Sequence, residues 1–248
     1  MDFRTLRLQI DGPVARVTLA RPDASNRIDE RMLRELNDAC EAIAANDGVC
    51  VTLLSADGAD FCAGWDASLT TGLPADPFGA VAALPAPVIA ALQGETLSAG
   101  LELALACDIR IAAEDARFGL PEVAHATLPR AGGTQRLPRI VGRAIATSML
   151  LLGDELDVQG AFRAGLVSRV FPAAQLAGEA EALAQRIAAY GPLALRYAKE
   201  AVHHGSELSL DQALRYELDL SVILQTTQDR AEGVQAFMEN RPPNFAGR

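Results

Sequence analysis

The chain has 248 residues, half of them apolar, with 32 acidic against 22 basic side chains and a formal net charge of -10. That length accommodates a single α/β domain with a large core. The acidic balance opposes the phosphate neutralisation on which nucleic-acid binding depends and disfavours anionic membrane surfaces, so neither is expected as a partner.

The N-terminal MDFRTLRLQI has neither a charged region leading into an apolar stretch nor the Arg/Ser-rich look of a transit peptide. Apolar runs are broken by Pro, Gly, Gln or Glu before the roughly 18 residues a membrane span needs. A cytoplasmic protein is expected. Leu6 to Ile10 and Val14 to Ala20 flank Asp11-Gly12, which predicts a hairpin. Asp29 reads as the N-cap of a helix from Glu30 to Ala45, with Met32, Leu33, Leu36, Cys40 and Ile43 on one face. Val49 to Leu54 and Pro87 to Leu92 read as buried strands. A glycine turn and a helix through Leu101 to Ala106 follow, then a strand from Ile109 to Ala112. This alternation predicts ββα units and a layered core with parallel pairing.

Beyond about Ala131 the pattern is helical: Arg143 to Leu152, Val158 to Ala164, Gln175 to Ala189, Pro192 to His203, Leu208 to Gln225 and Arg230 to Glu239, with one strand at Leu166 to Phe171. No Gly/Ser linker and no repeat divides the chain. The Gly-, Pro- and Ala-rich loop from Asp66 to Pro87 is the expected mobile segment. Cys40, Cys50, Cys62 and Cys107 lack CxxC spacing and sit in or beside apolar runs, as reduced thiols do. One lysine, Lys199, stands among the 22 basic residues, a bias attributable to coding composition.

Three segments carry chemistry. In GETLSAGLELALACD, Gly94 to Asp108, small residues at Ser98, Ala99 and Gly100 open a helix after a buried strand, so backbone N–H groups and the helix dipole can meet an oxyanion. Glu102 lies three residues beyond Ala99, on the same helical face. The alternative is a packing turn whose glutamate merely complements the dipole. FCAGWD, Phe61 to Asp66, can supply a second backbone donor. FGLPEV, Phe118 to Val123, places Glu122 after Pro121, at a strand end or turn and not in a helix interior.

Taken together these segments resemble the crotonase (enoyl-CoA hydratase/isomerase) superfamily over nearly the whole chain. LARPDASNRI resembles the family's LxRPxxxNxL, FCAGWD its FxAGxD, GETLSAGLELALACD its NGxxxGGGxELxxxCD, and RFGLPEV with LPRAGGTQRLPRIVG its FGxPE and PGxGGTQRLxRxVG run. The resemblance implies an α/β, crotonase-like spiral of ββα units over residues 1–190, with residues 191–248 as a helical, trimerising extension of the same domain. It implies an enoyl-CoA hydratase, adding water syn to a 2-enoyl-CoA to give a 3-hydroxyacyl-CoA. The backbone N–H groups of Trp65 and Ala99 would bind the thioester oxygen. Glu102 would activate water for attack at Cβ, and Glu122 would give the proton to Cα. Ala24, Asn26, Arg27, Ala63, Gly64, Asp66 and Gly100 would border the coenzyme A thioester. Coenzyme A would enter only as the substrate's handle, with no metal and no other cofactor, in a homotrimer or dimer of trimers. A first-turn position is expected to lower the Glu102 pKa, and desolvation by the acyl chain to raise that of Glu122.

The chain departs from the pattern in several places. Ser98-Ala99-Gly100 replaces GGG, tightening the fit near the thioester. Trp65 stands where a small residue is common, and its indole is expected to narrow the acyl pocket. The loop after Asp66 is shorter than in typical hydratases, and Arg130 replaces a glycine. Rival readings remain: a Δ3-Δ2 isomerase using chiefly Glu122, another acyl-CoA lyase or hydrolase of the superfamily, a serine hydrolase built on Ser98, His125 and Asp154 or Asp157, and a non-catalytic binding protein. No GxSxG elbow supports the serine hydrolase.

Overall fold

The computed structural model describes residues 3–69 and 73–248. β1 (Leu6–Asp11) and β2 (Val14–Leu19) form the hairpin, with Leu6 opposite Leu19 and Asp11 opposite Val14. Gly12 turns the chain at φ +55°, a conformation open to glycine because it has no Cβ. In α1 (Glu30–Ala44) the Asp29 side chain accepts from the Met32 N–H at 2.7 Å, and the predicted apolar face is buried. Next come β3 (Val51–Ala56), α2 (Gly79–Ala82), β4 (Val88–Leu92), β5 (Glu95–Leu97), α3 (Ala99–Leu105), β6 (Ile109–Ala113), β7 (Arg117–Gly119) and a 3-10 turn at Pro121–His125. The second half holds α4 (Gly133–Val141), α5 (Arg143–Leu152), β8 (Leu156–Asp157), α6 (Val158–Arg163), β9 (Arg169–Phe171), α7 (Ala173–Ala188), α8 (Pro192–Gly205), α9 (Leu210–Gln225) and α10 (Gln228–Glu239).

The main sheet has six strands in the order β1-β2-β3-β4-β6-β9, and every pair beyond the hairpin is parallel. Because successive side chains of a strand point to opposite faces, β4 serves two cores. Val88, Ala90 and Leu92 join the cluster that contains α1 and α3, while Ile89 and Ala91 pack with Leu176, Ala180, Leu183 and Ala184 of α7. A strand covered on both sides must be continuously apolar, which is why PVIAAL shows no alternation. α8 is tied to this layer by Lys199, which pairs with Asp108 at 2.8 Å and donates to the Ala86 carbonyl.

A second sheet of β5, β7 and β8 was not predicted. Its strands run three, three and two residues, too short to display a period of two. α4 also lies outside the predicted helices. Its glycine start and the internal Pro138 imitate a loop, since proline forfeits an intrahelical bond. The predicted strand Leu166 to Phe171 is reduced to Arg169–Phe171. The loop of residues 66–87, expected to be mobile, includes 70–72, which lie outside the described residues. Its described part is anchored: Leu69, Phe78, Val81 and Leu84 are buried, and Asp76 pairs with Arg136 at 2.5 Å. All four cysteines are buried and unpaired, and no described helix is long and apolar enough to cross a membrane.

Candidate active site

Short backbone pairings draw three loops together. Ile28 donates to the Gly64 carbonyl and Asp66 donates to the Ile28 carbonyl, both at 2.9 Å. On the other side, Cys62 donates to Glu95 and Leu97 donates to Cys62, both at 3.0 Å. Residues 62–66 are thereby held between the turn at 25–28 and strand β5, which itself pairs with β7. Gly100 packs so tightly on this strip that a Cβ would stand 2.2 Å from the Cys62 carbonyl oxygen. Ser98 and Asp66 each spend their N–H on a backbone carbonyl, but the N–H groups of Trp65 and Ala99 have no acceptor among the described residues. Two loops pressed together thus carry two backbone donors without an acceptor among the described residues.

The carboxylates sit beside this strip. Glu102 is fully buried in α3. Its Oε1 accepts from the Ala131 N–H at 2.7 Å and the Gly133 N–H at 2.8 Å, while Oε2 is buried without a partner. Burial is the largest influence on its proton. It pushes the pKa up to about 7 against the N–H groups of Gly133, Ala131 and Arg130, and the nearby charge of Glu122 adds to the rise. The expected lowering at the helix start is therefore reversed: the dipole of a short helix and even direct N–H bonds are outweighed by loss of water. Glu122, in the 3-10 turn, is also buried. Its Oε1 accepts from the Ser98 hydroxyl at 2.6 Å and its Oε2 has no partner.

The other predicted residues divide by role. Ala63, Gly64 and Gly100 are buried parts of the backbone strip. Asn26 is fully buried; its oxygen accepts from the Arg21 N–H and its amide donates to the carbonyls of Asp57 and Asp60, so the side chain fixes the turn from inside. Ala24 is half-buried and Arg27 is exposed, with its guanidinium donating to Ala63 at 3.0 Å. Asp66 accepts from Ser68 and pairs with Arg21, and these bonds hold its pKa down at about 2. The Trp65 ring stacks on Phe78 at 5.8 Å, and the Arg130 guanidinium lies 5.5 Å from its centroid. The serine triad is not assembled. Ser98 donates to Glu122 instead of a histidine, His125 is exposed, and Asp157 caps α6 through the Gly160 N–H. The Ser98–Glu122 bond and the Phe78 stack escaped the sequence reading; the AGG step of LPRAGG was the one local sign of the loop that grips Glu102.

Similarity to known proteins places the chain in a family. The profile described as "Enoyl-CoA hydratase/isomerase" covers residues 9–248. The chain belongs to the enoyl-CoA hydratase/isomerase family. Relatives within this family include 2,3-dehydroadipyl-CoA hydratase of Escherichia coli (strain K12), 40% identical over 242 residues and covering 94% of each chain. Crotonyl-CoA hydratase of Syntrophomonas wolfei is 38% identical over 259 residues and covers 99% of each. Among solved structures, the enoyl-CoA hydratase from Bacillus anthracis superposes with a TM-score of 0.94 at 36% identity, over 99% of this chain and 100% of that one. The fold of this chain is the crotonase fold, helical C-terminal region included.

Proposed function

We propose that this enzyme adds water syn across the double bond of a 2-enoyl-CoA thioester to give the 3-hydroxyacyl-CoA. One observation carries the reading: two buried carboxylates, each with one oxygen unbonded, lie beside a backbone strip with two free N–H donors. The thioester oxygen accepts from Trp65 and Ala99, which polarises the conjugated system and stabilises the enolate that follows. Each such donor contributes roughly 2.7 to 4 kcal/mol in comparable sites. Water held by the free oxygens of Glu102 and Glu122 attacks Cβ. Glu102, with its pKa pushed up to about 7, takes the water's proton efficiently at neutral pH. Glu122 delivers a proton to Cα and is recharged with the proton that Glu102 took, passed back through the next water, so that one H and one OH are added per turnover. The reaction calls for no metal or redox cofactor, and coenzyme A is the handle that Ala24 and Arg27 meet at the mouth.

An isomerase would need one carboxylate to carry a proton between Cα and Cγ. The unbonded oxygen of Glu102 favours hydration, because it gives the water a second acceptor. Hydratases in the family are named for different acyl groups, so the names leave the acyl chain open. The test is loss of conjugated-thioester absorbance with crotonyl-CoA. Glu102→Gln and Glu122→Gln are each expected to slow it by at least about a hundredfold; full activity in either variant would remove the two-carboxylate mechanism.

The functional unit in this proposal is a homotrimer or a dimer of trimers, acting in the cytoplasm. The apolar row Leu210, Leu214, Leu218 and Val222 on α9, each at least 55% exposed, supports a subunit contact through the C-terminal helices.

A further inference from the structure

We propose that Arg130 and Trp65 form an anion-reading wall of the acyl pocket, and that the preferred enoyl group carries a carboxylate at its far end. The inference rests on the hydratase reading for where the thioester lies. Residue 130 touches both halves of the site: its backbone N–H is among those acting on Glu102, and its guanidinium covers the Trp65 ring. With the carbonyl oxygen on the Trp65 and Ala99 N–H groups and Cβ at the glutamates, the rest of the acyl chain leaves the site past the ring and the arginine.

Among the described residues the side-chain donors there have few partners. No carboxylate among the described residues lies within ion-pair distance of Arg130. Among the described residues its guanidinium makes one hydrogen bond, to the Leu69 carbonyl, which is long at 3.5 Å. The Trp65 indole N–H is buried with no acceptor. Phe78, stacked nearly parallel to the indole at 7°, holds the ring in place, so the arginine rests on a fixed platform. A guanidinium so placed is pre-organised for a carboxylate, whose two oxygens match its parallel N–H groups. Arg130 is exposed, so beside an acyl group ending in a methyl its guanidinium stays on water, and the indole N–H is left without an acceptor.

The anion could instead be a phosphate of coenzyme A, and matched thioesters separate the two sources. Binding of saturated, unreactive pairs that differ by a terminal carboxylate, hexanoyl-CoA against adipoyl-CoA and octanoyl-CoA against suberoyl-CoA, is measured calorimetrically on the wild type, Arg130→Gln and Arg130→Lys. The wild type is expected to favour one dicarboxylic member by about tenfold, the size of a partly exposed charge-assisted bond. The ratio is expected to collapse towards one in Arg130→Gln and to be partly kept in Arg130→Lys. Equal weakening of both members would assign the guanidinium to coenzyme A and overturn the proposal, as would an unchanged ratio or no wild-type preference. Because these ligands cannot react, the result is independent of turnover, and crotonyl-CoA hydration reports separately on the hydratase reading.

Discussion

At the scale of single residues, the two glutamates were legible because each sits in a long motif of fixed spacing. Their energetics were not, because burial is a sum over the whole fold. Glu102 illustrates the sign. Its pKa rises from 4.5 to about 7, so between those values the folded chain binds more protons than the unfolded one. Stability conferred at low pH is then lost as pH rises through that window and levels off above about 7. Melting curves from about pH 5 to about pH 8 should show a decline for the wild type that Glu102→Gln flattens, and parallel curves would contradict the assignment. In the same window kcat/KM is expected to rise with pH, because the base must be ionised. Ser98 shows what spacing cannot reveal. It adopts φ +50°, a conformation costly for a residue with a Cβ, and its hydroxyl holds a glutamate 24 positions away. Ser98→Gly should therefore gain about 1 kcal/mol of stability while kcat falls about tenfold through loss of the bond to Glu122. A variant both more stable and fully active would show that the serine serves packing alone.

Elements were readable from sequence in proportion to their length. The hairpin, α1 and the long C-terminal helices repeat their apolar residues often enough to reveal a period. β5, β7 and β8 do not, yet β5 is the strand against which the loop of residues 62–66 is registered. The glycines of that junction carried the information instead. Gly100→Ala would press a methyl onto the Cys62 carbonyl, where backbone cannot yield without shifting the strip. A loss of about 3 kcal/mol is expected in denaturant unfolding. Gly178→Ala is the matched control: on the exposed face of α7 its Cβ would meet nothing within 4 Å, and it should stabilise by about 1 kcal/mol. Equal effects of the two substitutions would refute the close-approach account.

For the whole molecule, a net charge of -10 disfavours polyanionic surfaces more than a single anionic ligand, because screening limits exposed charges to about 8 to 10 Å and a small ligand meets only the local ones, Arg27 and Arg130 in the proposed site. The apolar row on α9 is the complementary surface feature. Replacing Leu214 and Leu218 together by Glu is expected to reduce the particle mass in light scattering to that of the monomer, and a monomeric wild type would contradict the proposed trimer. The chemistry itself is decided by where water goes. Turnover of a 2-enoyl-CoA in water labelled with heavy oxygen, followed by mass spectrometry, separates the reactions directly. The account predicts an intact thioester heavier by one labelled water, with the heavy oxygen on Cβ. An unlabelled thioester with a moved double bond, or free coenzyme A with label in the released acid, would contradict it.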